Sequence, residues 1–284
     1  MNLSSVSKWA RTAAVAATMS LGLGMATQAS AIPVFTVDPG ALGSSRSPFD
    51  ANFITGNSST LLTFADPVGG TVQGTGWINF TSFTLNNVAI APGLTGLGVD
   101  YSLWATFSYT TQLVSGTYGA LNSSYVVTSL TFSFYGSPGL DTVFSPAVVD
   151  PNPAGATTLP TAPSVSDGDT RLIGSGDLIN GVAVINAQGG TGINTLTSLL
   201  LTAFGETFFT DPDPFYTIVF SEFNNTSQGV VRQTGPDGVV YLAVGNTSGG
   251  VDFNLVPEPA SLALLGLGLG ALGLAGRRRQ KTQA

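Results

Sequence analysis

Apolar and polar residues alternate with a period of two along much of the chain, the pattern of a β-strand with one buried face. In residues 101–109 one face carries Leu103, Ala105, Phe107 and Tyr109, and the other carries the hydroxyl side chains of Ser102, Thr106 and Ser108. Residues 126–135 repeat the alternation, which predicts Val126 and Leu130 on the apolar face and Val127 on the opposite face. Further strands are predicted at 61–64, 72–80, 178–185, 215–223, 239–244 and 251–255.

Helical periodicity is nearly absent between residues 32 and 256, where Gly, Asn, Pro and Asp separate the predicted strands. We therefore predict an all-β body, folded as an antiparallel sandwich or jelly roll, in one large domain or two small ones. Dense proline in residues 145–165 excludes a central strand there. That segment is predicted to be a long exposed loop or a boundary between two halves.

The N-terminal residues 1–31 have the three parts of a secretory signal peptide, which we predict to form a signal helix. Lys8 and Arg11 supply positive charge, and an apolar stretch follows them. Ala29 and Ala31 fit the small-x-small cleavage rule, so that processing leaves Ile32 as the first residue. The alternative is an uncleaved anchor, for which the apolar stretch is short.

The C-terminus carries a second apolar segment with charged flanks. Val256, Pro257, Glu258 and Pro259 precede an apolar run over 260–276, which ends at the basic cluster Arg277, Arg278 and Arg279. As a helix rising ~1.5 Å per residue, this run spans a thin hydrocarbon core, so we predict a transmembrane helix. The positive-inside rule keeps the arginines cytoplasmic and the body on the periplasmic side.

Together these features make residues 257–284 resemble the PEP-CTERM sorting tail of Gram-negative bacteria. The resemblance implies an exosortase-type membrane protease as a partner during export, with transient inner-membrane anchoring followed by a cell-surface or matrix location. The alternative is an ordinary C-terminal membrane anchor, which has no reason to carry Pro-Glu-Pro at its junction.

Composition narrows the possible chemistry of the body. The chain contains no Cys and no His, which excludes disulfides, thiolate nucleophiles, imidazole bases and the common transition-metal sites. Residues 32–256 hold three basic and fifteen acidic side chains. A body this acidic repels phosphate backbones, so nucleic acid is not an expected partner. Only 9% of the residues are charged, and hydroxyl side chains replace the missing charge on the outer strand faces.

Three kinds of site remain possible, and each has a simpler interpretation. Glu206 and Glu222, the only glutamates in the body, are candidate carboxylates of a glycoside hydrolase, or they are surface residues. Close Asp pairs in turns supply calcium ligands, although Asp also begins turns for backbone reasons. Aromatic residues form a sugar-stacking platform or fill the core. The weak calcium candidates are Asp167, Asp169, Asp211 and Asp213; the aromatic candidates are Trp77, Trp104, Tyr118 and Tyr125.

Several body segments carry a wider resemblance. They begin at Phe35, Phe49, Tyr101, Asp211 and Gly250, and read FTVDPGAL, FDANFI, YSLWATF, DPDPFYTIVF and GVDFNLVPEP. The chain is similar to the flocculation-associated PEP-CTERM proteins. This resemblance implies a non-enzymatic surface or extracellular-matrix protein that promotes flocculation or biofilm cohesion together with exopolysaccharide. It implies no catalytic residue and no cofactor. The alternatives are a carbohydrate-binding module of the cell surface and a carboxylate-only glycoside hydrolase.

Overall fold

The computed structural model describes residues 33–150, 157–225 and 228–254. The predicted signal helix (1–31) and the predicted transmembrane helix (260–276) lie outside these residues. Within the described ranges, no helix is both long and apolar enough to cross a membrane.

The prediction of an all-β body is confirmed, because antiparallel strands make up most of the described chain. The short helical elements are a 3-10 turn at Pro39–Leu42, α1 at Pro92–Thr95 and α2 at Ala203–Phe208. The strands are β1 Phe35–Val37, β2 Phe49–Ala51, β3 Phe53–Asp66, β4 Thr71–Leu85, β5 Val88–Ala89, β6 Tyr101–Ser115, β7 Ser123–Pro138, β8 Val143–Ser145, β9 Ser164–Ser166, β10 Arg171–Ile185, β11 Thr191–Ser198, β12 Leu200–Leu201, β13 Phe209–Asp211, β14 Ile218–Asn224, β15 Val230–Thr234 and β16 Val240–Asn254.

Eight long strands close into a ring in the order β3-β4-β6-β7-β10-β11-β14-β16, and β16 pairs back onto β3. Every pairing in the ring is antiparallel, and each strand lies beside the next ring strand along the chain. The predicted sandwich or jelly roll is therefore wrong in its connections. Both of those folds need two facing sheets, whereas here one sheet closes on itself.

The inner face of the ring holds the apolar side chains that alternation assigns to it. Leu103, Ala105 and Tyr109 of β6 are buried inside, as the sequence pattern predicts, and Ser108 faces outward and is exposed. Strand β7 departs from the prediction in its first half. There the pairing with β6 skips Thr128, so a bulge places Val127 inside at 4% exposure and Val126 outside at 36%.

A small second sheet and α2 close one end of the ring with phenylalanine. Strand β1 lies between β2 and β13, and its Phe35 is fully buried. The Phe35 ring packs edge-on against those of Phe209, Phe215 and Phe253, with centroids 5.0 to 6.2 Å apart. Aromatic rings favour this edge-to-face geometry. The end of the ring is thus sealed by residues from both termini of the described chain.

The described parts of the proline-rich segment 145–165 lie against the outer face of the ring. The Ala147 amide donates to Ser59 Oγ at 2.9 Å, and the Asp150 amide donates to Gln233 Oε1 at 2.7 Å. Gln233 Nε2 in turn donates to the Thr158 carbonyl at 2.6 Å. The Val149 side chain is buried in a small cluster on that face. The segment is tied to the ring at each of these points.

Candidate functional site

Serine and threonine line the outward side of the adjacent ring strands β6 and β7, and Thr75 of β4 and Ser175 of β10 lie beside them. These side chains are exposed or half-buried, and no Lys or Arg lies among them. We call this surface the hydroxyl face. Its members are Thr75, Thr106, Ser108, Thr110, Ser129, Thr131, Ser133 and Ser175.

The register of the strands sets the hydroxyl face in rows. Thr75, Ser108 and Thr131 lie directly opposite one another on β4, β6 and β7, and the exposed Asp177 continues the row on β10. Adjacent strands are ~4.8 Å apart, so hydroxyls repeat at that interval along a row. Ser108 Oγ and Thr131 Oγ1 share a hydrogen bond of 3.2 Å. Each hydroxyl can both donate and accept, so the face is suited to uncharged polar ligands.

The aromatic candidates do not form a common exposed platform. Trp77 and Trp104 are 9% and 2% exposed, because Phe144 covers both rings from outside. The Trp77 Nε1–H donates to the Ser145 carbonyl at 2.9 Å, which ties the indole to this cover. Tyr135 stacks on Trp104 with centroids 5.7 Å apart.

The two tyrosine candidates lie apart from the tryptophans, near the turn between β6 and β7. The Tyr118 ring packs against Phe64, and its hydroxyl donates to the Thr71 carbonyl at 2.7 Å. Tyr125 is 4% exposed, and its hydroxyl accepts from the Gly119 amide at 2.9 Å. All four candidates therefore serve packing, and none offers an open ring face for a sugar.

The calcium candidates lie in two separate places, Asp167 and Asp169 in a bend before β10, and Asp211 and Asp213 at and just beyond the end of β13. Asp167 accepts hydrogen bonds from Ser137 Oγ, Thr142 Oγ1 and the Asp169 amide, at 2.8, 2.5 and 2.9 Å. These donors occupy lone pairs that a cation would use. Asp211 lies opposite Thr36 in the small sheet, and Asp213 is exposed beyond it. No three acidic side chains cluster as metal ligands in the described ranges, so calcium binding stays a prediction.

The two glutamates also belong to different elements. Glu206 lies in the first turn of α2 and is exposed. Glu222 projects outward from β14, where its Oε1 accepts from Asn224 Nδ2 at 2.7 Å. Neither residue lines the interior of the ring. This arrangement offers no pocket between two carboxylates of the kind that glycoside hydrolysis requires.

The interior of the ring contains a cavity that the sequence did not indicate. Its volume is about 110 Å³. Ser58, Thr60 and Thr247, on the adjacent strands β3 and β16, form one side, which we call the hydroxyl wall. Phe107 and Phe132, on β6 and β7 across the ring, form the aromatic wall. Alternation assigns each side chain to a face but does not show that the sheet closes, so no sequence signal predicts this space.

Comparison with known families matches residues 255–279 to the PEP-CTERM protein-sorting motif. The match includes the predicted motif Val256–Pro259 and the arginines 277–279, all outside the described residues. No curated protein and no solved structure matches the chain. The chain therefore carries a PEP-CTERM sorting tail and is an exosortase substrate. The tail indicates export, processing by exosortase at the membrane, transient anchoring there and a final location at the cell surface. Cleavage between Ala31 and Ile32 stays a prediction.

Proposed function

We propose that this protein is a non-enzymatic surface or matrix protein of a Gram-negative bacterium, which promotes flocculation or biofilm cohesion by binding exopolysaccharide. The observation that carries the proposal is the hydroxyl face, presented by a protein whose tail sorts it to the cell surface. Catalysis is not part of the proposal, because the chain has neither Cys nor His and its two body glutamates lie on different elements.

The chemistry of the hydroxyl face matches that of a polysaccharide. A sugar chain presents hydroxyls that both donate and accept, as serine and threonine do. Rows of such groups at strand spacing allow many weak hydrogen bonds to form along one polymer, and repeated contacts on one polymer raise its effective concentration at the surface. Because Asp177 is the one charge within the row described above, these contacts do not depend on opposite charges.

The proposal includes the carbohydrate-binding alternative, because binding exopolysaccharide is itself carbohydrate binding. The surface that supports it is the hydroxyl face, since the aromatic candidates are covered or internally bonded. Flocculation then follows when one polymer binds proteins on two cells.

Retention on a column of exopolysaccharide from the host tests this proposal. The test variant combines Thr106→Val, Ser108→Val and Thr131→Val, which removes three hydroxyls and places β-branched side chains, which suit strands, at all three positions. The control is Ser248→Val, which removes an exposed hydroxyl from β16, outside the hydroxyl face. We expect the triple variant to be retained several-fold less than the wild type, and the control to match the wild type. Equal retention of all three proteins would overturn the role of the hydroxyl face.

A further inference from the structure

The cavity inside the ring is lined mainly by apolar side chains, with a few hydroxyls among them. On the aromatic wall, Phe107 and Phe132 point inward yet are only half-buried, although the sheet closes around them. Their remaining accessible area borders the cavity, because both residues line it. On the hydroxyl wall, Ser58, Thr60 and Thr247 are 5%, 7% and 4% exposed. The space is therefore mainly apolar, and it offers a ligand both aromatic rings and a few hydroxyls.

Thr247 is the polar group that points to a ligand. It lies opposite Ser58 across the β16–β3 pairing and lines the cavity. Its Oγ1 is buried and has no hydrogen-bond partner among the described residues. Buried hydroxyls are nearly always paired, since leaving one unpaired loses the hydrogen bonds that it makes in water. Because this Oγ1 is inaccessible in the described conformer, a molecule in the cavity bonds it only after rotation about the Cα–Cβ bond of Thr247.

We propose that the interior cavity binds a small aromatic molecule carrying one hydroxyl group, of about the size of phenol. An engineered protein cavity of about 150 Å³ holds benzene, so about 110 Å³ limits the ligand to a single ring. The ring of the ligand packs against Phe107 and Phe132, and its hydroxyl bonds Thr247 Oγ1. This site is independent of the hydroxyl face, because it lies on the opposite side of the sheet.

Calorimetric titration of the exported protein, recovered from the cell surface of its host, tests the proposal with phenol and benzene as separate probes. We expect saturable binding of phenol at one site. Ala183 lines the cavity on β10 and is half-buried, so Ala183→Leu fills the space and abolishes binding. The control is Val182→Leu on the same strand, where the side chain faces outward at 52% exposure and binding should be unchanged.

Thr247→Val keeps the shape of the side chain and removes its hydroxyl. We expect it to weaken phenol binding about five- to tenfold and to leave benzene binding unchanged, the effect of one lost hydrogen bond. If Ala183→Leu fails to fold, Ala183→Val takes its place. Its smaller side chain fills less of the cavity, and we expect it to weaken phenol binding. No saturable phenol binding by the wild type, full binding by a folded Ala183 variant, or equal weakening of both probes by Thr247→Val would each overturn the proposal.

Discussion

Phe35 on the first strand packs edge-to-face against Phe253 on the last strand, with ring centroids 5.0 Å apart and planes at 88°. Phe35 follows the predicted cleavage site by a few residues, and Phe253 precedes the matched sorting motif at 255. The first and last strands of the described body thus meet in its core, where Phe35 and Phe253 pack with Phe209 and Phe215 as an aromatic plug at one end of the ring. The body can complete this plug only when both ends are present.

We expect a large loss of stability when the phenyl ring of Phe35, at the centre of the plug, is removed. Phe35→Ala leaves a cavity among Phe209, Phe215 and Phe253, so we expect a cost of about 3–5 kcal/mol in the free energy of unfolding. The control is Val34→Ala at an exposed position, with an expected change within about 0.5 kcal/mol. Urea unfolding measures both values. A similar cost for the two variants would mean that the Phe35 ring does not anchor the plug.

Two glycines lie opposite each other on neighbouring strands of the ring, where we expect that no side chain is tolerated. Gly56 on β3 lies opposite Gly249 on β16, and a Cβ on Gly56 would overlap the Asn79 carbonyl oxygen. We expect Gly56→Ala to destabilise the fold by about 1–3 kcal/mol, the typical cost of overpacking. Gly93→Ala is the matched control, because nothing lies within 4 Å of its added Cβ. It should stabilise the protein by about 0.4–1 kcal/mol. Thermal unfolding distinguishes the two directions.

We expect Asp167 to stabilise the folded protein by an amount that depends on pH. Burial alone raises the pKa of this carboxyl, but hydrogen bonds from Thr142, Ser137, Asp169 and Thr170 outweigh burial and leave the pKa below its ordinary value. A lowered pKa in the folded state stabilises the protein above the unfolded pKa. That contribution is lost as the pH falls below about 4, the ordinary pKa of the carboxyl, and then through its lower pKa in the folded protein.

The variant Asp167→Asn tests this dependence. We expect it to cost about 1 kcal/mol at pH 7, because solvent screens a partly exposed group. The difference from the wild type should shrink as the pH falls from about 4 to 2. Asp169→Asn is the control, since its carboxylate makes none of the hydrogen bonds that hold Asp167. A constant difference across this pH range in urea unfolding would contradict the assignment.

Strand alternation predicted much of the fold, and its success and failure have physical reasons. Along β6 the period of two is unbroken, so Leu103, Ala105 and Tyr109 lie inside as predicted. Along β7 the bulge at Thr128 shifts the period, so Val126 and Val127 exchange faces. A bulge arises from pairing with a neighbouring strand, and that information is not local to the sequence of β7.

Closure of the ring and burial of the aromatic candidates both depend on contacts between residues that are distant in the sequence. Strand β16 pairs with β3 although the two are far apart in sequence, as in the pair Thr55 and Gly250, which are 195 positions apart. Trp77 lies on the outer side of its strand, where alternation predicts exposure, but Phe144 covers it. The sorting tail was predictable because it is a contiguous motif, whereas the cavity is created only when β10 pairs with β11.

The non-enzymatic role predicts that the body glutamates are dispensable. The double variant Glu206→Gln and Glu222→Gln keeps the hydrogen-bonding shape of both side chains and removes their charge. We expect its retention on host exopolysaccharide and its effect on floc settling to equal those of the wild type. Loss of either activity in a folded double variant, checked by circular dichroism, would instead support the carboxylate hydrolase.

The settling rate of host flocs after deletion of the gene tests the central claim most directly. Two complemented strains accompany the deletion: one expresses the full chain, and the other expresses a chain that lacks residues 257–284. We predict that deletion slows settling, that the full chain restores it, and that the chain without its sorting tail does not. Unchanged settling in the deletion strain would contradict the proposed role in cohesion. Full restoration by the tail-less chain would contradict its dependence on sorting to the cell surface.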